Sequence, residues 1–144
     1  MLYTELTKKA MKIAYDAHKD QVDKNGIPYI YHPVHLAEQM TTEYEICVAL
    51  LHDTVEDCDI TFEELIEAGF PDKVIEAIRL MTHDKSVPYM EYVEKMRNNP
   101  IAKAVKLADL RHNSDLTRFD HVTEKDLVRK KKYEQAIRLL SSLD

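Results

Sequence analysis

Apolar side chains recur at every third or fourth position along the first seventeen residues. These positions are Leu2, Leu6, Ala10, Ile13, Ala14 and Ala17. The spacing predicts a helix with one buried face, ending near Gln21. The whole chain of 144 residues contains only two glycines, so few positions favour a break in helical structure. We therefore expect an all-α protein.

A loop follows this first helix. Asn25-Gly26 and Pro28 lie within residues 22–29 and are typical of turns. Helical patterning resumes beyond this loop, with Pro33 in a first-turn position. The next helix begins near Thr42. The predicted helices cover about residues 33–40, 42–51, 61–69, 72–81, 88–98, 100–113 and 124–143.

Composition and charge exclude several classes of protein. The net charge of −6 leaves no broad basic field, so we expect no nucleic-acid partner. No apolar run approaches the roughly 20 residues that a membrane span needs, and the N-terminus is unlike a signal peptide. Two cysteines, Cys47 and Cys58, are too few for a disulfide framework and fit a reducing cytoplasm. Residues 1–144 are expected to form one domain.

Four ionisable residues lie beside or inside apolar runs, where an unpaired polar group is unfavourable. They are His32, His52, Asp53 and Asp109. Imidazole and carboxylate ligands together suit Mn²⁺, Fe²⁺, Zn²⁺ or Mg²⁺. Adjacent helical residues point about 100° apart, so both members of the His-Asp pair reach one ion only near a helix end. By itself such a pair is more often an ordinary polar step, and a lone aspartate is more often a hydrogen-bonding residue.

Further acidic residues follow the His-Asp pair. Glu56 and Asp57 lie within one helical turn of Asp53, and such crowding is unfavourable unless a cation compensates it. A solvated helix end with loose carboxylates is the alternative for these two residues. Asn113 lies one turn beyond Asp109, which places an amide and an acid on the same face.

Three motifs occur in order along about residues 17 to 113. The matching segments are Ala17-His18, Gln21, Lys24, Gly26 and Pro28-Tyr29-Ile30-Tyr31-His32-Pro33; then Leu51-His52-Asp53-Thr54-Val55-Glu56-Asp57; then Lys106-Leu107-Ala108-Asp109 with His112-Asn113. Together they resemble the HD superfamily of phosphohydrolases, and within it the hydrolase domain of RelA/SpoT-like alarmone enzymes. The resemblance implies an HD-type helical bundle of about seven to eight helices.

The resemblance also implies a division of roles. His32, His52, Asp53 and Asp109 would ligate one divalent ion, usually manganese in this group. Glu56 and Asp57 would position or deprotonate the attacking water, and Lys24 and Asn113 match nucleotide-contacting positions. Similar enzymes remove the 3′-pyrophosphate from guanosine tetra- or pentaphosphate, so the expected partner is a small-molecule nucleotide.

Two positions depart from the family pattern. Asp23 stands where the family usually has an arginine that stacks on guanine, and Asp115 follows Asn113 where an arginine is common. An aspartate does not stack as guanidinium does and repels phosphate. Two alternatives therefore stay open: a related phosphohydrolase that acts on another nucleotide or a phosphorylated cofactor such as NADPH, and a catalytically silent nucleotide-binding domain.

Overall fold

The structure is a computed structural model that describes residues 1–142. Apart from one isolated bridge between Val22 and Pro28, its regular secondary structure in this range is helical. The α-helices are α1 (Glu5–His18), α2 (Tyr31–Glu38), α3 (Glu43–Leu51), α4 (Thr54–Asp57), α5 (Phe62–Glu67), α6 (Asp72–Met81), α7 (Tyr89–Glu94), α8 (Pro100–Asn113) and α9 (Glu124–Ser141). A 3₁₀ turn, Leu116–Arg118, lies between α8 and α9. The prediction of an all-α chain is confirmed.

Helix α3 is the centre of the bundle. Its first turn is fixed by a capping box, in which Thr42 Oγ1 accepts from Glu45 N at 3.3 Å and Glu45 accepts from Thr42 N at 3.2 Å. Every residue from Ile46 to Leu51 is fully buried. Helices α1, α2, α6 and α8 pack around it. Such an all-apolar helix stabilises the fold only because its neighbours cover it on several sides.

The helix boundaries differ from the sequence predictions in a few places. Helix α1 ends at His18 instead of near Gln21, because the chain turns and the carbonyl oxygen of Gln21 accepts from Tyr29 N at 2.9 Å. Helix α7 ends at Glu94 instead of residue 98, since the following amides bond three residues back instead of four. Helix α9 ends at Ser141, and its predicted end at residue 143 lies outside the described residues.

The end of α3 positions two of the predicted metal ligands. Helix α3 stops at Leu51 and α4 begins at Thr54, so His52 and Asp53 lie in the break between them. Thr54 Oγ1 donates to the carbonyl oxygen of Leu51 at 2.8 Å and holds this break in place. The predicted helix end at the His-Asp pair is therefore present. Within residues 1–142, no helix combines the length and apolarity that crossing a bilayer requires.

Removing buried side-chain volume from α3 should destabilise the protein strongly. Ile46 is fully buried, so Ile46→Ala is expected to lower the free energy of unfolding by about 2–5 kcal/mol through lost burial and a residual cavity. Ile66 on α5 is 50% exposed, and Ile66→Ala should change the free energy by less than about 0.5 kcal/mol. Urea unfolding of both variants measures the difference. Equal effects would contradict the central place of α3.

Candidate functional site

The four predicted metal ligands come from three separate places in the fold. His32 lies in the first turn of α2, His52 and Asp53 follow α3, and Asp109 lies near the end of α8. Helices α2 and α8 both pack against α3 and against each other. Because of this packing, side chains up to 77 residues apart in the chain meet in one place.

The atoms of these four side chains are close together. Asp109 Oδ1 lies 2.8 Å from His32 Nε2 and 3.6 Å from His52 Nε2, and Asp53 Oδ2 lies 3.1 Å from His52 Nε2. His32, His52 and Asp109 are buried, with at most 8% of each residue exposed. The donor set of two imidazoles and two carboxylates is one that divalent transition metals accept, and it leaves room in the coordination sphere for water and substrate.

The surroundings of His52 favour a cation at this point. His52 Nδ1 donates to the carbonyl oxygen of Ala49 at 2.7 Å, so the other ring nitrogen, Nε2, carries a lone pair in the neutral ring. Nε2 is buried and has no hydrogen-bond partner among residues 1–142, although two carboxylates face it. Burial lowers the pKa of His52, but Asp53 and Asp109 outweigh it and raise the pKa. A bound metal ion would supply the positive charge that this arrangement requires.

Asp109 is held in place by two further groups. Lys106, buried one turn earlier on α8, donates to Asp109 Oδ2 at 3.0 Å. Asn113 Nδ2 donates to Asp109 Oδ1 at 3.2 Å from the next turn. Burial raises the pKa of Asp109, but Lys106 and the two histidines outweigh it and hold the pKa well below its usual range. The carboxylate is thus charged and oriented before any ligand arrives.

Two of the other predicted ligands are also supported by neighbours. The hydroxyl of Tyr29 donates to Asp53 Oδ2. His32 Nδ1 lies 2.6 Å from His112 Nδ1, and the two rings stack at a centroid distance of 4.9 Å. If His32 binds through Nε2, its Nδ1 proton goes to His112, which fixes the ring orientation. Sequence reasoning assigned no role to Tyr29, Lys106 or His112, although all three fall within the motifs.

Glu56 and Asp57 lie on the single turn α4, beside the predicted metal ligands. Their carboxylate oxygens and that of Asp53 all lie within 4.8 Å of one another. Glu56 Oε1 accepts from His83 N at 2.6 Å, which anchors it. Loss of hydration in the packed surroundings and repulsion from Asp53 raise the pKa of both carboxyls. A carboxylate with a raised pKa is a better proton acceptor near neutral pH.

A cavity of about 750 Å³ opens next to His32. Both predicted substrate-contacting residues, Lys24 and Asn113, line it. Lys24 also forms an ion pair with Asp126, and Asn113 also bonds to Asp109, so each has a protein partner as well as access to the cavity. A volume between about 300 and 1,000 Å³ is typical of small-molecule sites.

The two unexpected aspartates turn out to stabilise local turns. Asp23 Oδ1 accepts from the amides of Asn25 and Ile27 at 2.8 and 3.1 Å. Asp115 Oδ1 accepts from Thr117 N at 3.0 Å and caps the 3₁₀ turn. Both carboxylates therefore satisfy backbone amides, as aspartates in turns commonly do.

Comparisons with known proteins agree with the fold. Residues 10–132 match the model of a family described as an HD domain. A guanosine-3′,5′-bis(diphosphate) 3′-pyrophosphohydrolase, MESH1, from Danio rerio is 40% identical over 129 residues, covering 80% of this chain and 71% of the relative. The Homo sapiens MESH1 is 40% identical over 124 residues, covering 76% and 69%. A solved structure, described as that of a metazoan ortholog of SpoT that hydrolyzes ppGpp, superposes with a TM-score of 0.77 at 25% identity, covering 100% of this chain and 90% of that one.

Proposed function

This chain belongs to the HD domain family, and we propose that it is a metal-dependent phosphohydrolase that converts guanosine 3′,5′-bis(diphosphate) to GDP and pyrophosphate. The observation that carries the proposal is the convergence of two imidazoles and two carboxylates beside a second pair of carboxylates. Relatives that are 40% identical to this chain, over most of both chains, carry that activity in their names. The substrate is a small-molecule nucleotide.

We propose that His32, His52, Asp53 and Asp109 hold one divalent ion, and that this ion is manganese. The mixed nitrogen and oxygen donors suit a borderline or hard transition-metal ion better than a thiolate-seeking one. The surroundings of His52 Nε2 support the assignment, since this buried nitrogen faces two carboxylates, a cluster that a bound cation would balance. When bound, such an ion polarises a phosphoryl oxygen and lowers the pKa of water.

Glu56 and Asp57 act as the proton-accepting groups in this proposal. The oxygen of a water molecule bonds to the phosphorus that carries the ribose 3′-oxygen, and the bond between that phosphorus and the 3′-oxygen breaks. One carboxylate takes a proton from the water, and the acidic pair returns that proton to the departing 3′-oxygen, which leaves as the hydroxyl of GDP. The anchoring of Glu56 by His83 N supports this role, because a general base must be held within hydrogen-bond reach of the proton it removes.

A second candidate function is hydrolysis of another nucleotide or of a phosphorylated cofactor such as NADPH. Asp23 and Asp115 favour it, because they stand where the family pattern expects positive charge. Their hydrogen bonds in local turns weaken that argument, since each carboxylate already accepts from a backbone amide. The cavity itself accommodates either class of molecule by size.

An assay of released products separates these candidates. Purified protein with Mn²⁺ is incubated with guanosine tetraphosphate, NADPH or GTP, and pyrophosphate and phosphate are measured separately. We expect pyrophosphate equal to GDP from the tetraphosphate, and its loss when EDTA removes the metal. Phosphate released from NADPH alone would support the second candidate. No turnover of any compound would support a silent nucleotide-binding domain.

Two broader expectations stay proposals. We propose that residues 1–144 form one HD-type domain, because α1, α2, α6 and α8 share the core around α3. We also propose a cytoplasmic location. Both Cys47 and Cys58 are free thiols, as is usual for proteins of a reducing compartment.

A further inference from the structure

The lining of the large cavity includes three cationic side chains besides the predicted metal ligand His32. These cations are Lys24, Arg118 and Arg129, and His112 and Asn113 line the same cavity. A smaller cavity of about 140 Å³ adjoins it and shares Asn113, Arg118, Phe119 and Arg129. The chain therefore concentrates positive charge at one place in a protein whose net charge is −6.

These cations are fixed by a buried acid and an aromatic ring. Asp126 on α9, whose side chain is 1% exposed, forms an ion pair with Lys24 and lies 3.7 Å from Arg129 Nη1. Lys24 Nζ lies 4.2 Å from the centre of the Phe119 ring. Hydrogen bonding by Lys24 and by the backbone of Thr123 lowers the pKa of Asp126 to about 2, so this anchor stays charged.

Arg118 approaches the same ring from the chain between α8 and α9. Its guanidinium carbon lies 5.3 Å from the centre of the Phe119 ring, and its Nε donates to the carbonyl oxygen of His112 at 3.0 Å. Arg118 forms no salt bridge with any residue in the range 1–142 that the structure describes. Lys24 and Arg129 share one carboxylate, that of Asp126, and Arg118 pairs with none in that range, so these three cations carry more positive charge than their ion-pair partners neutralise. An anion would compensate that charge.

These cations compensate for the two arginines of the family pattern that are aspartates in this chain. Asp23 and Asp115 stand where the family pattern has arginines, and both serve local turns. Arg118 and Arg129, which lie outside the motifs, restore positive charge to the cavity. Glu38 and Asp23 are the acidic residues of the lining. Asp23 Oδ1 accepts hydrogen bonds from the amides of Asn25 and Ile27.

We propose that Lys24, Arg118 and Arg129 form an anion-binding subsite for the 5′-diphosphate of the nucleotide. This inference rests on the proposed function, because it takes the 3′-pyrophosphate to lie at the proposed metal-binding residues, of which His32 lines the same cavity. Only a nucleotide with phosphates at both ends engages both groups at once. The subsite thus selects for a ribose that is phosphorylated at the 5′ position as well as the 3′ position.

Equilibrium binding tests the subsite directly. Isothermal titration measures the affinity of Mn²⁺-loaded protein for guanosine 5′-diphosphate and for guanosine, in the wild type and in Arg118→Gln and Arg129→Gln. Loss of one charge-assisted hydrogen bond should weaken diphosphate binding by about 5- to 20-fold in each variant. The affinity ratio between diphosphate and guanosine should fall correspondingly.

A matched control comes from the same helix. Lys131 is exposed on α9 and lies outside both cavities, so Lys131→Gln removes one positive charge without touching the subsite. Its affinity ratio should equal that of the wild type. If Arg129→Gln and Arg118→Gln also keep the wild-type ratio while their thermal unfolding shows them folded, the subsite is wrong.

Turnover measured in the same samples distinguishes failure of the proposed function from failure of the proposed subsite. Wild-type cleavage of guanosine tetraphosphate tests the proposed function, whereas the change in the binding ratio tests the subsite. Comparison with guanosine 3′-diphosphate, which lacks 5′-phosphates, adds a kinetic measure. Both arginine variants should lose more kcat/KM on the tetraphosphate than on the 3′-diphosphate, and an equal loss on the two substrates would count against the subsite.

Discussion

Replacing Asp109 by asparagine should remove both metal binding and turnover. Asp109 Oδ1 lies within 3.6 Å of the ring nitrogens of both His32 and His52, so it is the carboxylate that these imidazoles share. Changing even an outer-shell partner of a metal ligand typically lowers metal affinity about 10- to 100-fold, and we expect the loss of a charged ligand to exceed about 100-fold. Calorimetric titration with Mn²⁺ and a steady-state assay of pyrophosphate release measure the two effects.

Asparagine is chosen at position 109 so that the variant protein should still fold. Lys106 is buried beside Asp109, and alanine would leave its ammonium group without this acceptor, which strongly destabilises proteins. The amide oxygen of asparagine can still accept from Lys106. Asp115 is exposed and caps the 3₁₀ turn, so Asp115→Asn is the matched control and should bind Mn²⁺ as the wild type does. Tight stoichiometric binding by the folded Asp109→Asn variant would contradict ligation by this residue.

Replacing Glu56 by glutamine should separate catalysis from metal binding. Glutamine still offers an oxygen to the amide of His83, so the local structure should persist. It cannot accept a proton, and loss of a general base typically lowers the rate about 10²- to 10⁴-fold. We therefore expect kcat to fall by that factor while the affinity for Mn²⁺ changes only a few-fold.

The control for this prediction is another exposed glutamate. Glu63→Gln on α5 removes the same charge away from the site and should leave kcat near the wild-type value. Parallel measurement of kcat and of Mn²⁺ affinity in the two variants is needed. A Glu56→Gln enzyme that retains wild-type kcat would show that this carboxylate takes no proton. Asp57 would then be the acceptor to examine next.

The sequence predicts helix positions accurately where prolines and apolar spacing mark the ends of a helix clearly. Helices α6 and α8 begin and end where the sequence predicts, because Pro71 and Pro100 mark their starts and apolar spacing runs through both. Helices α1 and α7 both end earlier in the chain than the sequence predicts. A hydrogen bond from the following loop decides the end of α1, and a change to hydrogen bonds between residues three apart decides the end of α7. The separate turn α4 arises from the break at His52 and Asp53. Such boundary effects come from tertiary structure.

The candidate ligands were visible in the sequence for a different reason. Charged side chains beside apolar runs are unfavourable without partners, and this singled out His52 and Asp109. Their supporting groups were not assigned, because the bonds of Tyr29 to Asp53 and of His32 to His112 join residues 24 and 80 positions apart. The pairing of Lys24 with Asp126 spans 102 positions and has no local signature. Only packing of α2, α3, α8 and α9 brings these residues together.

Anomalous diffraction from crystals grown with Mn²⁺ tests the central claim most directly. Data collected at the manganese absorption edge should give one strong peak per chain, bounded by the side chains of His32, His52, Asp53 and Asp109. The same map from Asp109→Asn crystals should lack that peak. A peak elsewhere in the chain, or none at this point in a protein that hydrolyses guanosine tetraphosphate with Mn²⁺, would contradict the metal site on which the mechanism depends.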